Sequence, residues 1–438
     1  MARGKKKESA LTPEEKLAQA LVSEDEQPYK VPGNWCWVRL GSLGYTNIGL
    51  TYKPADISPT GTIVLRSSNI QNGQIDYSDI VSVEMDIPEN KMSKKGDILI
   101  CARNGSKALV GKTAIIDRDG MSYGAFMAIF RSPYNSLIYH YLNSHYFRDI
   151  IDHDVGTTTI NQITQSLIKE LPFPLPPFAE QQRIVDRIEY LFAKLDEAKE
   201  KAQSVVDSFE TRKAAILHKA FTGELTAKWR AEHGMKLTQW ERKPLSKVSN
   251  NHDSRRIPLS QAERSNLERI YDYYGASGVI DKVDRFLFEG RHLLIGEDGA
   301  NLVTRSKPIA FIADGQYWVN NHAHVLSTTS EMILDFLCYY INSIDLVPYV
   351  TGSAQPKMTQ AKMNGIPIPV PSVLEQSEIV RILDSLFAKE QQAKEAAEAV
   401  LEKVDLQKKS ILARAFRGEL GTNDPTEESA MELLMKNL

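Results

Sequence analysis

The sequence predicts an α/β (α+β) protein: two copies of a mixed domain, each followed by a long helix. The two helices are expected to pair as an intramolecular antiparallel coiled coil with pseudo-twofold character. Three observations predict this. Residues 164–225 align without a gap to 359–420 at a constant offset of 195, with 26 of 62 positions identical. Alternating prolines (Pro172, Pro174, Pro176 and Pro367, Pro369, Pro371) close each half before a long stretch without proline or glycine. Within those stretches apolar residues alternate at spacings of four and three, the heptad signature. A period this long excludes a solenoid of short repeats.

The 438 residues suffice for two or three domains, and 42% hydrophobic with 25% charged residues is an ordinary soluble composition. Cys36, Cys101 and Cys338 have no metal-like spacing and read as buried thiols of a cytoplasmic protein. No apolar run approaches the roughly 18 residues of a membrane span, and the basic start lacks the apolar stretch of a secretory signal. A net charge of −3 argues against a chain that grips nucleic acid alone through a large basic surface. It leaves room for one that reads DNA while a partner supplies phosphate contacts.

In order, the chain divides into an N-terminal tail (1–28) with a short helix near Pro13 to Val22, a first mixed domain (29–177) and a first long helix (178–222). A linker (223–239), a second mixed domain (240–371), a second long helix (372–417) and a C-terminal tail (418–438) follow. In the first domain, Ile63-Val-Leu-Arg66, Asp97-Ile-Leu-Ile100 and Thr113-Ala-Ile-Ile116 read as strands between Gly, Asn and Asp turns, and Leu137 to Ile151 as one helix. The second repeats the scheme, with strands at Leu293-Leu-Ile295 and Ile309-Ala-Phe311 and a helix over Glu331 to Ser343. Tyr141-Leu-Asn-Ser144 echoes Tyr340-Ile-Asn-Ser343, and Gly96 to Ile100 echoes Arg291 to Ile295.

The first helix places Ile184, Ile188, Leu191, Leu195, Ala198, Ala202, Val205, Phe209 and Ile216 on one seam, interrupted by Arg212. The second places Ile379, Leu383, Leu386, Glu390, Ala393, Ala397, Val400, Val404 and Ile411 there, interrupted by Gln407. So narrow an apolar stripe needs a partner, and pairing within the chain is the simplest solution.

The sequence carries no complete catalytic pattern. Gly105 to Thr113 superficially resembles a phosphate loop, but five residues separate its glycines and Thr-Ala-Ile-Ile continues as a strand. Asn320-Asn-His322-Ala-His324 places two histidines on one strand face without the further ligands zinc needs. Glu197-Ala-Lys199 lies outside the heptad seam as a solvated face. No nucleophile elbow or methyltransferase motif is present.

What remains are polar turns suited to base edges and phosphates. In the first domain they offer Arg66, Asn69, Arg103, Asn104, Ser106, Lys107 and Lys112; in the second, Tyr273, Tyr274, Ser277, Asn301, Asn320 and His322.

The repeated block, Pro-x-Pro-x-Pro followed by Glu-Gln-x-x-Ile-Val, Leu-Phe-Ala-Lys and Ala-Phe-x-Gly-Glu-Leu, resembles the conserved regions of type I restriction–modification specificity subunits. Arg66 to Gly73 and Tyr274 to Ile280 resemble the opening strand region of their target-recognition domains. The resemblance covers nearly the whole chain. It implies a non-catalytic reader of double-stranded DNA whose two domains each read one half of an asymmetric bipartite site. It further implies that the helices hold the domains apart and dock two modification (methyltransferase) subunits, with two restriction (motor nuclease) subunits completing the enzyme. S-adenosylmethionine, ATP and magnesium would belong to those partners, with no cofactor or metal in this chain and no membrane contact. The alternative is a coiled-coil scaffold whose α/β domains bind something other than DNA; a nuclease with an unrecognised site stands third.

Overall fold

The computed structural model describes residues 12–154, 162–352 and 355–437. The chain forms two compact units: Met1–Lys201 with Val400–Leu438, and Ala202–Ala399. Each unit therefore takes the beginning of one long-helix copy and the end of the other.

In the first unit, Ile98-Leu-Ile-Cys101 is an unbroken apolar run buried at every position, as a central strand requires. It lies inside a four-stranded antiparallel sheet of spatial order Tyr45–Ile48, Met127–Arg131, Ile98–Cys101, Thr113–Ile115. A second sheet orders Val81–Val83, Ile57–Leu65 and Ser122–Tyr123, the last pair parallel. The proline strand Pro172–Leu175 pairs only with Cys36–Arg39, a two-stranded ladder that tolerates residues without an N–H.

The second unit repeats the four-stranded sheet and extends the other by one strand. Its antiparallel sheet orders Ser249–Asn251, Ala323–Thr328, His292–Gly296 and Ala310–Ala313. Another orders Gly278–Val283, Tyr271–Gly275, Gln316–Val319 and Phe288–Glu289, again with one parallel pair. Pro367–Val370 pairs with Glu241–Pro244.

The helices run antiparallel within each unit. In the first, Ile184, Val185 and Ile188 share a core with Leu412, Ala415 and Phe416, and Lys408 Nζ lies 2.6 Å from Asp196 Oδ1. In the second, Leu217 and Ala220 pack with Ile379 and Leu383. Arg212, which interrupts the heptad, meets Glu390 of the opposing helix at 2.7 Å.

Two details of the long helices differ from the sequence expectation. The first copy is two helices, Phe178–Asp207 and Phe209–Phe221. The Ser208 hydroxyl donates back to the Ser204 carbonyl while Arg212 donates to Ser208 Oγ and the Val205 carbonyl, a back-bonding pattern that bends helices. The second copy, Val373–Ala415, is continuous, but Ala393, Val400 and Gln407 are exposed and Lys394, Leu401 and Lys408 are half-buried instead. The lysine stems cover aromatic rings, Lys394 over Phe209 at 4.8 Å and Lys408 over Phe192 at 5.1 Å.

The repeated residues anchor these helices to their domains. Gln181 Nε2 donates to the Pro176 carbonyl at 3.1 Å, and Gln376 Nε2 to that of Pro371 at 2.9 Å. The Tyr141 hydroxyl donates to the Pro172 carbonyl and the Tyr340 hydroxyl to that of Pro367. Those tyrosines also meet Phe416 and Phe221 edge to face, each with centroids 5.1 Å apart.

The expected helix over Leu137 to Ile151 is also two, Asn135–Leu142 and His145–Asp154. The described residues of both expected tails pack. Helix Pro13–Ala20 begins in a Thr12/Glu15 capping box, and Ala20 is buried in one cluster with Ala430 and Leu434. The first eleven residues of the N-terminal tail lie outside the described residues. Among the described residues no helix is long and apolar enough to cross a membrane.

Candidate nucleic-acid interface

In the first unit the strand Ile57–Leu65 ends at Arg66, where Asn69 closes the following loop. Asn69 Oδ1 accepts the Arg66 backbone N–H, and its Nδ2 donates to the Asp76 and Asp79 carbonyls. The hairpin beyond turns at Asn72 and Gly73, both at positive φ, the pairing that an Asn-Gly turn favours. The Arg66 guanidinium pairs with Asp79 at 2.8 Å.

Arg66, Ser67 and Ser68 line a cleft of about 400 Å³ with Leu50, Tyr52 and Phe126. Exposed Arg103 lies over the Phe126 ring, 5.1 Å from its centroid, and Asn104 Nδ2 donates to Ser67 Oγ. Three of the expected residues, Arg66, Arg103 and Asn104, are thus brought together around one cleft. The others separate. Ser106 is exposed, its N–H held by Asn104 Oδ1. Lys107 turns to Asp152, donating to its carbonyl at 2.8 Å. Lys112 is half-buried beyond Gly111. Asn69 is buried with both amide groups engaged, so the structure gives it a scaffolding position rather than an open one.

In the second unit His322 stands half-exposed with its Nδ1 2.8 Å from Asp298. Asn320, almost fully buried, caps the same turn by accepting the His322 N–H. Tyr274 is half-buried and stacks on Phe311, and Ser277 sits in the turn between Tyr271–Gly275 and Gly278–Val283. Asn301 folds onto its own turn, its Oδ1 accepting from Ser306 and the Lys307 N–H. Tyr273 points inward: it is buried in an apolar cluster, and its hydroxyl accepts the Leu259 N–H. Its place on an alternating strand is what turns it from the surface.

Beneath His322 lies a buried charge network. His324 Nδ1 is 2.6 Å from Asp253, and Arg256 bridges Asp253 and Glu297 at 3.3 and 2.7 Å. Lys357 reaches Glu297 at 3.1 Å. Burial pushes both carboxyls up, but the bonds and charges from His324, Arg256 and Lys357 outweigh it and leave Asp253 and Glu297 below the ordinary carboxylate range. Asp253, Glu297 and His324 lie close enough to suggest a metal triad. Arg256 and Lys357 already neutralise its carboxylates, and the group reads as the brace that holds the Asp298–His322 turn.

Phe126, Asp298 and Lys357 were missed from sequence. Asp298 stands 195 residues after Arg103, in the Gly296 to Asn301 turn that sequence matches to the first domain's polar turn, but composition there favours Asn301 over the carboxylate as a contact. Nothing in the sequence marks Phe126 as 58% exposed.

Each unit thus joins a mixed domain of closely similar topology, with a polar rim, to a pair of antiparallel long-helix segments. The family described as type I restriction modification DNA specificity domain matches residues 32–205 and 238–403, and the chain belongs to it with two copies of that domain. The chain is 26% identical over 422 residues to the type I restriction enzyme StySPI specificity subunit of Salmonella potsdam, covering 89% of this chain and 90% of that one. It is 28% identical over 425 residues to the EcoKI specificity subunit of Escherichia coli (strain K12), with the same coverage. The crystal structure of the HsdS subunit from Thermoanaerobacter tengcongensis shares the fold at TM-score 0.63 and 19% identity, covering 90% of this chain and 99% of that one.

Proposed function

We propose that this specificity subunit is the non-catalytic DNA reader of a type I restriction–modification complex, with each unit's mixed domain recognising one half of an asymmetric, bipartite sequence. The observation that carries the reading is the contrast between shared topology and unlike rims. The four-stranded sheets match strand for strand, and the second sheets share three strands with one parallel pair, to which the second unit adds Phe288–Glu289. Against that, Arg66 lines a cleft whose Phe126 and Ser67 hold Arg103 and Asn104, while Asp298, His322 and Asn320 form the corresponding turn. Like frames with unlike side chains fit two different half-sites.

In this reading the helices are a ruler. Two domains entering major grooves on one face of a duplex sit about 34–36 Å apart, and 43 helical residues rise about 65 Å. The same helices dock two modification subunits, to which two restriction subunits are added. Those partners hold S-adenosylmethionine, ATP and magnesium and supply phosphate contacts that a chain of net charge −3 does not. The complex works in the cytoplasm, as the free cysteines suit.

The test is selection of random duplex DNA by the purified chain with its modification subunit, followed by sequencing. A two-part motif with a spacer of fixed length is expected. No enrichment, or an ungapped motif, overturns the reading.

A further inference from the structure

The two domains share more than topology at one point on their rims. The Ala102 N–H donates to the Phe126 carbonyl at 3.0 Å, and the Glu297 N–H to the His322 carbonyl at 2.9 Å. The Ile163 N–H donates to the Ala102 carbonyl at 2.7 Å, and the Met358 N–H to the Glu297 carbonyl at 2.8 Å. Isolated bridges then join Arg103 to Gln162 and Asp298 to Lys357. Backbone bonding therefore makes Arg103 the counterpart of Asp298, and Phe126 the counterpart of His322.

On this common frame the side chains carry opposite chemistry. Arg103 is exposed and braced on the face of Phe126, presenting only donors. Asp298 presents acceptors. Its two oxygens lie 2.9 and 2.8 Å from His322 Nδ1, which fixes the carboxylate and leaves lone pairs open. A rim position that keeps its backbone and reverses its polarity is suited to discrimination rather than to phosphate contact, for which a carboxylate is repulsive.

We propose that Arg103 and Asp298 are equivalent base-reading positions of opposite polarity. Arg103 donates to the N7/O6 edge of a guanine in one half-site; Asp298, held by His322, accepts from the amino group of a cytosine or adenine in the other. The proposal rests on the DNA-reading function above and adds which chemistry each half-site must present.

The experiment uses the full chain with its modification subunits on random duplex DNA, comparing wild type with Arg103→Ala, Arg103→Lys, Asp298→Ala and Asp298→Asn. If wild type selects no motif, the DNA-reading function itself fails. If it selects one, Arg103→Ala should lower preference at a single G·C pair of one half-site by about 5- to 150-fold and leave the other half intact. Asp298→Ala should do the same at a single pair of the other half, and whether that pair is C·G or A·T names the base read. Analogues settle the polarity. 7-Deazaguanine should weaken binding of wild type but not of Arg103→Ala. A 2-pyrimidinone in place of cytosine, or purine in place of adenine, should weaken wild type but not Asp298→Ala. A wild-type motif that survives both alanine variants, equal loss in both half-sites, or analogues that weaken wild type and variant alike would overturn the proposal. Arg103→Lys and Asp298→Asn keep a polar group at each position. A partial loss at the same pair supports base reading, and a loss shared by both half-sites counts against it.

Discussion

The Trp35 indole N–H donates to Glu180 Oε2 at 2.7 Å, and Trp240 repeats the bond to Glu375 Oε2 at 2.9 Å. Each carboxylate is the Glu of the repeated Glu-Gln pair. It is buried where the first strand of a domain, the start of its own helix and the segment after the opposite helix copy meet. Around Glu180 the remaining donors are neutral, Thr422 Oγ1 at 3.0 Å and Asn423 Nδ2 at 2.8 Å. Around Glu375 they are Thr226 and the buried guanidinium of Arg230.

That difference ranks two substitutions. Glu180→Ala removes the acceptor of the buried Trp35 indole N–H, at about 1–3 kcal/mol, while Asn423 Nδ2 keeps Asn34 Oδ1 at 2.8 Å. Glu375→Ala strands a buried cation and should cost about 3–5 kcal/mol from that source alone. Chemical unfolding followed by tryptophan fluorescence should show the second unit failing first in Glu375→Ala. Equal midpoints for the two variants would contradict the ranking.

His140 is buried against Phe192 and Tyr139, and burial lowers its pKa to about 4. The folded value lies below the unfolded one, so its contribution is complete above about pH 6.5 and is lost as pH falls towards 4. The loss is about 3 kcal/mol at most. His140→Gln should flatten the fall in melting temperature between pH 7 and pH 4.5; a parallel fall in both proteins would count against it.

Arg256 neutralises Asp253 and Glu297 beneath the Asp298 turn. Arg256→Met should destabilise the second unit by about 3–5 kcal/mol, because it leaves buried carboxylates short of a partner. The depressed carboxyls make the same network acid-labile: its stability is present at neutral pH and falls as pH drops through the lowered pKa values. Hydrogen exchange should localise the loss to Ala323–Thr328 and its neighbours.

Removing one heptad from each helix shortens the proposed ruler by about 10 Å. The preferred spacer should change while both half-sites stay the same. Methylome sequencing of cells carrying the variant reads this directly, and an unchanged spacer would refute the ruler.

Much of this was legible in the sequence because it follows from local periodicity. The apolar runs at Ile98 and Leu293 and the helical stretches that follow the alternating prolines lie where pattern placed them. What pattern missed depends on partners. Ser208 breaks its helix through a hydroxyl that found a backbone acceptor. Lys394 and Lys408 entered the seam because aromatic rings lay within reach of their stems. Asn69 and Tyr273 have polar composition suited to a rim, yet their hydrogen bonds face inward.

The first unit is discontinuous in the chain and the second is not. During synthesis, residues 202–399 can close as soon as they emerge. The domain made first cannot: Tyr141, Phe173 and Ile188 share a core with Leu412 and Phe416. At about 5–20 residues per second the ribosome takes roughly 10–40 s to supply that closing segment. The half that is born first is therefore finished last, its apolar seam open to chaperones or to a waiting partner in the interval.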